Sequence, residues 1–173
     1  MIFPVEAVFF VKKIDRMIQR VQTIFLFLIV VGMGITLSTQ LWSQGGGEGD
    51  SWNLSAFTMI NLDESGKVIQ SSSKWYLGAL ASLAAILALV SIFQYKVRSR
   101  QLLLNMINSL VMVSLVATTF LTTNGINEAI KAQDGGDYGI GFWAILVAMV
   151  MNMLANRFIK KDEALVRSVD RIR

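Results

Sequence analysis

Asp134, Asp137 and Tyr138 are the nearest the sequence comes to a proton-moving cluster: two carboxylates and a phenol close together in one polar loop. Such groups act as acid and base only where their surroundings drive their proton affinities apart, and a solvated loop does not do that. Nothing stronger stands elsewhere, because the chain has no His and no Cys. Imidazole acid–base chemistry, haem ligation, thiolate metal sites and disulfide exchange are therefore excluded. The residues point to no catalytic, cofactor-binding or metal-binding position, and a non-enzyme is expected.

The second suggestive pattern is amide rather than acid. Asn105 and Asn108 stand three apart and Asn152 and Asn156 four apart, each pair inside an apolar stretch. Those spacings put both members of a pair on one helix face. If the two stretches are antiparallel helices rising ~1.5 Å per residue, Asn108 and Asn152 both lie about 9 Å deep from the same end, with Asn105 and Asn156 one turn shallower. We expect a two-layer asparagine ladder joining the third and fourth helices, each hydrogen bond contributing ~0.6 kcal/mol. The functional alternative, a polar track for an ion or a lipid headgroup, lacks the charged residue at membrane depth that coupled transport requires.

The elements that must position these amides follow from composition. Of the 173 residues 54% are hydrophobic and only 16% charged, and the mean hydropathy is +0.54, so lipid is the natural solvent. Four stretches, 21–42, 75–95, 102–121 and 138–158, are long and apolar enough to cross a hydrocarbon core of about 30 Å. Thirteen of the 16 basic residues fall in the N-terminal segment, the turn between the second and third spans, and the C-terminal segment. Loops 43–74 and 122–137 hold only Lys67, Lys74 and Lys131 beside seven carboxylates. The positive-inside rule then places both ends in the cytoplasm of a bacterial inner membrane. Trp42, Trp75, Tyr76, Tyr138 and Trp143 mark the outer boundary, and Tyr95 and Phe158 the inner one. The net charge of +4 belongs to cytoplasmic loops, and no nucleic-acid partner is expected.

Outside the spans, residues 1–16 read as an extension, either an interfacial helix or, with Met17 as the natural start, a segment from an upstream start codon. The first outer loop opens on a glycine run, Gly45 to Gly49 interrupted by Glu48, and then turns strand-like. Segments 56–62 and 67–71 flank Asp63-Glu64-Ser65-Gly66, which predicts a β-hairpin whose Phe57, Met59, Ile60 and Leu62 cap the bundle. A small-molecule site under that hairpin is the alternative, although nothing in the loop specifies a ligand. The tail 159–173 predicts an amphipathic helix, with Leu165, Val169 and Ile172 along one stripe and Arg167 and Arg171 beside them. Together with Arg16 and Arg20 these residues are the candidates for docking a partner.

The two ends also carry a resemblance. Met17-Ile18-Gln19-Arg20-Val21-Gln22-Thr23 entering the first span, and the terminal run from Ile159 to Arg173, resemble the ends of a Bacteroidota inner-membrane family known as domain of unknown function 4293. The resemblance covers residues 17–173 and implies a four-span membrane protein with no catalytic residues to carry over. By topology alone the chain is also similar to claudin-like four-helix proteins, an analogy of architecture, since their paired outer cysteines are missing here.

The expected fold is an all-α membrane protein: a four-helix transmembrane bundle with a small extracytoplasmic β-hairpin and a cytoplasmic amphipathic C-terminal helix. The expected role is a non-catalytic accessory subunit or assembly factor of a membrane complex, in contact with the lipid bilayer and with another membrane protein or a second copy of itself. A small channel or transporter is the alternative.

Overall fold

The computed structural model describes residues 5–45, 49–95, 97–132 and 134–170, with side chains from residue 21 to residue 164. Four helices, α1 (Val5–Ser38), α2 (Trp75–Phe93), α3 (Arg98–Ile130) and α4 (Ile140–Asp170), pack in a ring in which α1 and α3 each touch α2 and α4. Each contains a window long and apolar enough to cross a membrane. In such a medium the backbone has to satisfy its own hydrogen bonds, which a helix does within one segment.

The buried positions share one period. Gln22, Leu26, Ile29, Met33 and Thr36 in α1, Gln101, Asn105, Asn108, Met112, Leu115 and Thr119 in α3, and Ile145, Ala148, Asn152, Ala155, Ile159 and Asp162 in α4 advance by alternating steps of four and three. That is the 3.5-residue seam of coiled coils, which sets neighbours about 20° off antiparallel. Small residues let the backbones close. Ala81, Ala84 and Ala88 of α2 are fully buried. A Cβ added at Gly32 would lie 3.3 Å from both the Ala144 carbonyl and the Ala148 methyl of α4.

The structure overturns the all-α fold class. Beyond one end of the bundle lies a five-stranded antiparallel sheet, ordered β4-β3-β2-β1-β5, in place of a lone hairpin. Its strands are β1 (Gln40–Gly45), β2 (Ser51–Ser55), β3 (Thr58–Leu62), β4 (Val68–Ser73) and β5 (Asp137–Tyr138). The expected hairpin is the β3–β4 pair, turning through Asp63 to Gly66 with Gly66 at φ +79°. Of the other strands, β1 and β5 overlap the ends of the first and fourth expected spans, and β2 lies in the first outer loop. Trp42 and Tyr138, expected as boundary aromatics of the first and fourth spans, instead face one another across β1 and β5. An apolar run by itself does not distinguish the end of a buried helix from a buried strand. At the end of α1, Ser38 Oγ and Thr39 Oγ1 donate to the carbonyls of Gly34 and Ile35, at 2.9 and 2.7 Å, just before β1 begins.

The glycine run is a strand end at Gly45 and a left-handed residue at Gly49, with residues 46–48 outside the described part. No break separates residues 5–16 from the rest of α1. Helix α3 runs on to Ile130, well past the expected limit at residue 121, and closes in a Schellman motif: Ala132 N–H donates to Asn127 O at 2.9 Å and Lys131 N–H to Glu128 O at 3.3 Å. Lys131 takes the left-handed position at φ 52°, which normally favours glycine.

The sheet is tied to the helices at named points. Gly139 N–H donates to Leu41 O at 2.9 Å, and Thr36 Oγ1 reaches the Gly141 carbonyl at 3.0 Å. On the other flank the Phe57 ring lies over Gly78 of α2, where any Cβ would collide with it. In the β3–β4 turn, Asp63 Oδ1 accepts from Ser65 Oγ at 2.6 Å and from the Ser65 and Lys67 amides at 2.9 Å each. These bonds, the Ser65 hydroxyl's foremost, hold the Asp63 pKa below its ordinary value.

Two outcomes follow. Lys131→Gly relieves a left-handed non-glycine residue at some cost in chain entropy, and is expected to stabilise the protein by about 0.5–1 kcal/mol, read as a raised thermal midpoint in detergent. Because the Asp63 pKa is lowered on folding, its contribution is complete above the ordinary carboxyl range and is lost as pH falls through the lowered value. Hydrogen-exchange protection of the Ser65 and Lys67 amides should fall with it, and Asp63→Ala should abolish that protection at neutral pH.

Candidate functional site

At the end of the bundle away from the sheet, the seam turns polar. Gln22 of α1, Ser91 of α2, Gln101, Asn105 and Asn108 of α3, and Asn152 of α4 are all at least nine-tenths buried. Ser91 Oγ donates to Asn105 Oδ1 at 2.8 Å, and Gln101 Nε2 donates to the Ser91 carbonyl at 3.1 Å. Asn152 Nδ2 donates to the Asn105 carbonyl at 3.0 Å and to Ser109 Oγ at 2.7 Å. Helices α3 and α4 are thus joined through one backbone carbonyl and a serine, not through paired asparagine side chains. Asn108 is fully buried and neither of its side-chain polar atoms has a partner; Asn156 is half-buried and its Oδ1 is likewise unpartnered.

Equal depth was readable from the sequence; azimuth was not. Asn105 turns towards Ser91 of α2, and only its carbonyl faces α4, so Ser91, Gln101, Ser109 and Gln22 escaped the sequence reading. Their signal was the four–three alternation, in which Gln22, Gln101, Asn105, Asn108 and Asn152 occupy core positions. A polar residue at a core seam position costs stability and in return fixes register, since sliding one helix by a turn would leave it facing hydrocarbon.

Below this layer Arg98, at the start of α3, places its Nε 2.8 Å from Asp162 Oδ2 of α4, and Asp162 is 1% exposed. This contact clamps the α2–α3 turn against α4. The docking candidates Arg16, Arg20, Leu165, Arg167 and Val169 have their side chains outside the described part, and Arg171 and Ile172 lie outside the described residues altogether. For these only the backbone of α1 and α4 is known, helical through Arg16, Arg20, Leu165, Arg167 and Val169.

At the sheet end the loop cluster is split among separate partners. Gln44 Nε2 donates to Asp134 Oδ1 at 2.6 Å, and Trp42 Nε1 donates to the Gly135 carbonyl at 2.9 Å. The Tyr138 hydroxyl instead lies 3.2 Å from Thr123 Oγ1 of α3, while its ring packs 4.3 Å from that of Phe142. Asp137 is exposed. Asp134 braces β1 and Tyr138 ties β5 to α3, so the two carboxylates and the phenol do not converge on one point. Among the described residues no group of three or more acidic side chains is placed to hold a metal ion.

Four membrane-length helices on a heptad seam, a polar layer at one end and a five-stranded sheet at the other define a mixed helix-and-sheet protein compatible with a membrane setting. A family model described as a domain of unknown function, DUF4293, matches residues 18–172, and the chain belongs to that family. No curated protein matches it.

The polar layer is testable by a double-mutant cycle. Asn152→Ala removes two hydrogen bonds and is expected to cost about 1 kcal/mol in reversible unfolding, with Ser109→Ala costing about half as much. A coupling energy near ~0.6 kcal/mol between them is expected, and a coupling of zero would detach Ser109 from the contact.

Proposed function

We propose that the protein is a non-catalytic subunit or assembly factor of a bacterial inner-membrane complex, multi-pass, with both ends in the cytoplasm. The observation that carries the reading is the length of the terminal helices. Helix α1 has 34 residues and α4 has 31, about 51 and 46 Å at ~1.5 Å per residue, against a hydrocarbon core of about 30 Å. Both surpluses lie on the side away from the sheet. There Phe25 stacks on Phe158 with ring centroids 5.4 Å apart, and Ile159 is fully buried, so the two helices leave the apolar belt side by side. Most of the chain's basic residues are on this side, which supports a cytoplasmic address and gives the helix pair a charge with which to select an acidic partner surface.

A small channel or transporter is favoured by one observation, the unpartnered amides of Asn108, Gln22 and Asn156. Against it, the polar layer is followed along the seam by the fully buried Met33, Met112, Leu115 and Ile145.

The absence of cysteine makes orientation simple to test. Glu64→Cys should react with a membrane-impermeant maleimide on intact cells, whereas Lys161→Cys should react only after permeabilisation; the reverse pattern would invert the topology. For the role itself, a photocrosslinking side chain at Arg167 is expected to trap a partner that also co-purifies in fixed ratio, and one at Glu64 should not trap it. Arg167→Glu with Arg171→Glu should lower recovery at least tenfold in a variant that remains monodisperse. A lone monomer, or unchanged recovery, would sink the docking reading.

A further inference from the structure

The underside of the sheet does not close on the helices everywhere. A cleft of about 690 Å³ separates its inner face from the sheet-side third of α3, within the ~300–1,000 Å³ typical of small-molecule sites. Along α3 it runs from Thr118 to Ile130, about 18 Å at ~1.5 Å per residue. One end meets the apolar belt at Leu121, which is 70% exposed; the other lies beneath β2, β3 and β4.

Its walls differ in chemistry. Met59, Leu121, Ile126 and Ile130 make an apolar flank. Facing the sheet side are donors without acceptors: Trp52 Nε1 is buried with no hydrogen-bond partner, and no carboxylate pairs with Lys74 among the described residues. The buried Ser72 Oγ, opposite Met59 in the β3–β4 ladder, is also unpartnered. No acidic side chain lines the cleft. A buried donor left unmade costs about 1–3 kcal/mol, so the missing component is an acceptor-bearing group, and Lys74 selects for one that is negative.

We infer that this cleft holds one bilayer lipid with an anionic phosphate headgroup. The headgroup lies under the sheet among Trp52, Gln70 and Lys74, and an acyl chain leaves past Leu121 into the apolar belt. The inference rests on the membrane reading above, which fails separately if the purified chain stays dispersed without detergent.

Gly125 supplies a clean test. It lines the cleft on α3, and a Cβ added there meets nothing within 4 Å, so the side chain of Gly125→Leu starts in open space and is directed to occupy the cleft. Native mass spectrometry of the full chain in a zwitterionic detergent, titrated with phosphatidylglycerol, phosphatidylcholine or inorganic phosphate, reads occupancy directly. One phosphatidylglycerol per chain is expected, retained at least tenfold better than phosphatidylcholine, with no retention of inorganic phosphate. Gly125→Leu and Lys74→Glu should each lower retention at least tenfold at an unchanged thermal midpoint, and Lys74→Arg should restore most of it. Equal retention of the two lipids, binding of phosphate alone, or full retention by a folded Gly125→Leu variant would each overturn the assignment.

Discussion

The period of 3.5 residues shared by the buried positions of the helices constrains everything built on them. An ideal helix drifts about 20° per heptad from such a seam, so neighbours must cross at a shallow angle to stay in contact. In an apolar medium little hydrophobic force draws helices together, and close packing does most of the work. Gly32 against Ala144 and Ala148, and the row Ala81, Ala84, Ala88, bring backbones near enough for that packing to act. The same seam explains where the amides sit. Asn105 and Asn152 are core residues by position, and their hydrogen bonds convert a seam that could slide by a turn into one with a single register.

That register reaches the sheet. Strand β1 begins two residues after α1 ends, and β5 ends two before α4 begins, so the β1–β5 pair is an extension of the α1–α4 contact. Thr36 on Gly141 and Leu41 on Gly139 tie the two helix ends at the level where strands take over. A shift of α1 along α4 by one turn would break both bonds and misalign Trp42 with Tyr138. Core packing at one end of the molecule therefore specifies strand pairing at the other.

The four long apolar helices were legible because long apolar runs bounded by charge favour a helix, which satisfies its backbone hydrogen bonds within one segment. The Asp63–Gly66 turn was legible because its residues match its backbone, Asp63 accepting three hydrogen bonds and Gly66 taking positive φ. The rest of the sheet was not, for a reason particular to its strands. Strand β5 has two residues, too short for any periodicity, and β1 carries Leu41 and Trp42 both fully buried around a bulge, so alternation fails where it was needed. Strand β2 did alternate, with Trp52 and Leu54 facing inward between Ser51, Asn53 and Ser55, and that signal was available in the sequence. Among the polar residues, counting along helices gave height but not direction, which is why Asn105 was assigned to α4 when its side chain belongs to Ser91.

The same connectivity explains why one underside of the sheet is open. The sheet hangs from α1 and α4 through β1 and β5, and from α2 through Phe57 on Gly78. No strand leads into or out of α3, which is joined at both ends by a turn or loop. Its side-chain hydrogen bonds there run from Thr123 to Tyr138 of β5, from Asn127 to the Gly135 carbonyl of the preceding loop, and from Thr122 to Tyr76 of α2. Filling the gap from within would have required large side chains at positions where the sequence has Gly125 and Ala129. Small residues on α3 facing Met59 and Trp52 keep the space while the fold around it is closed, so the cleft follows from residue choice and not from a failure of the helices to pack.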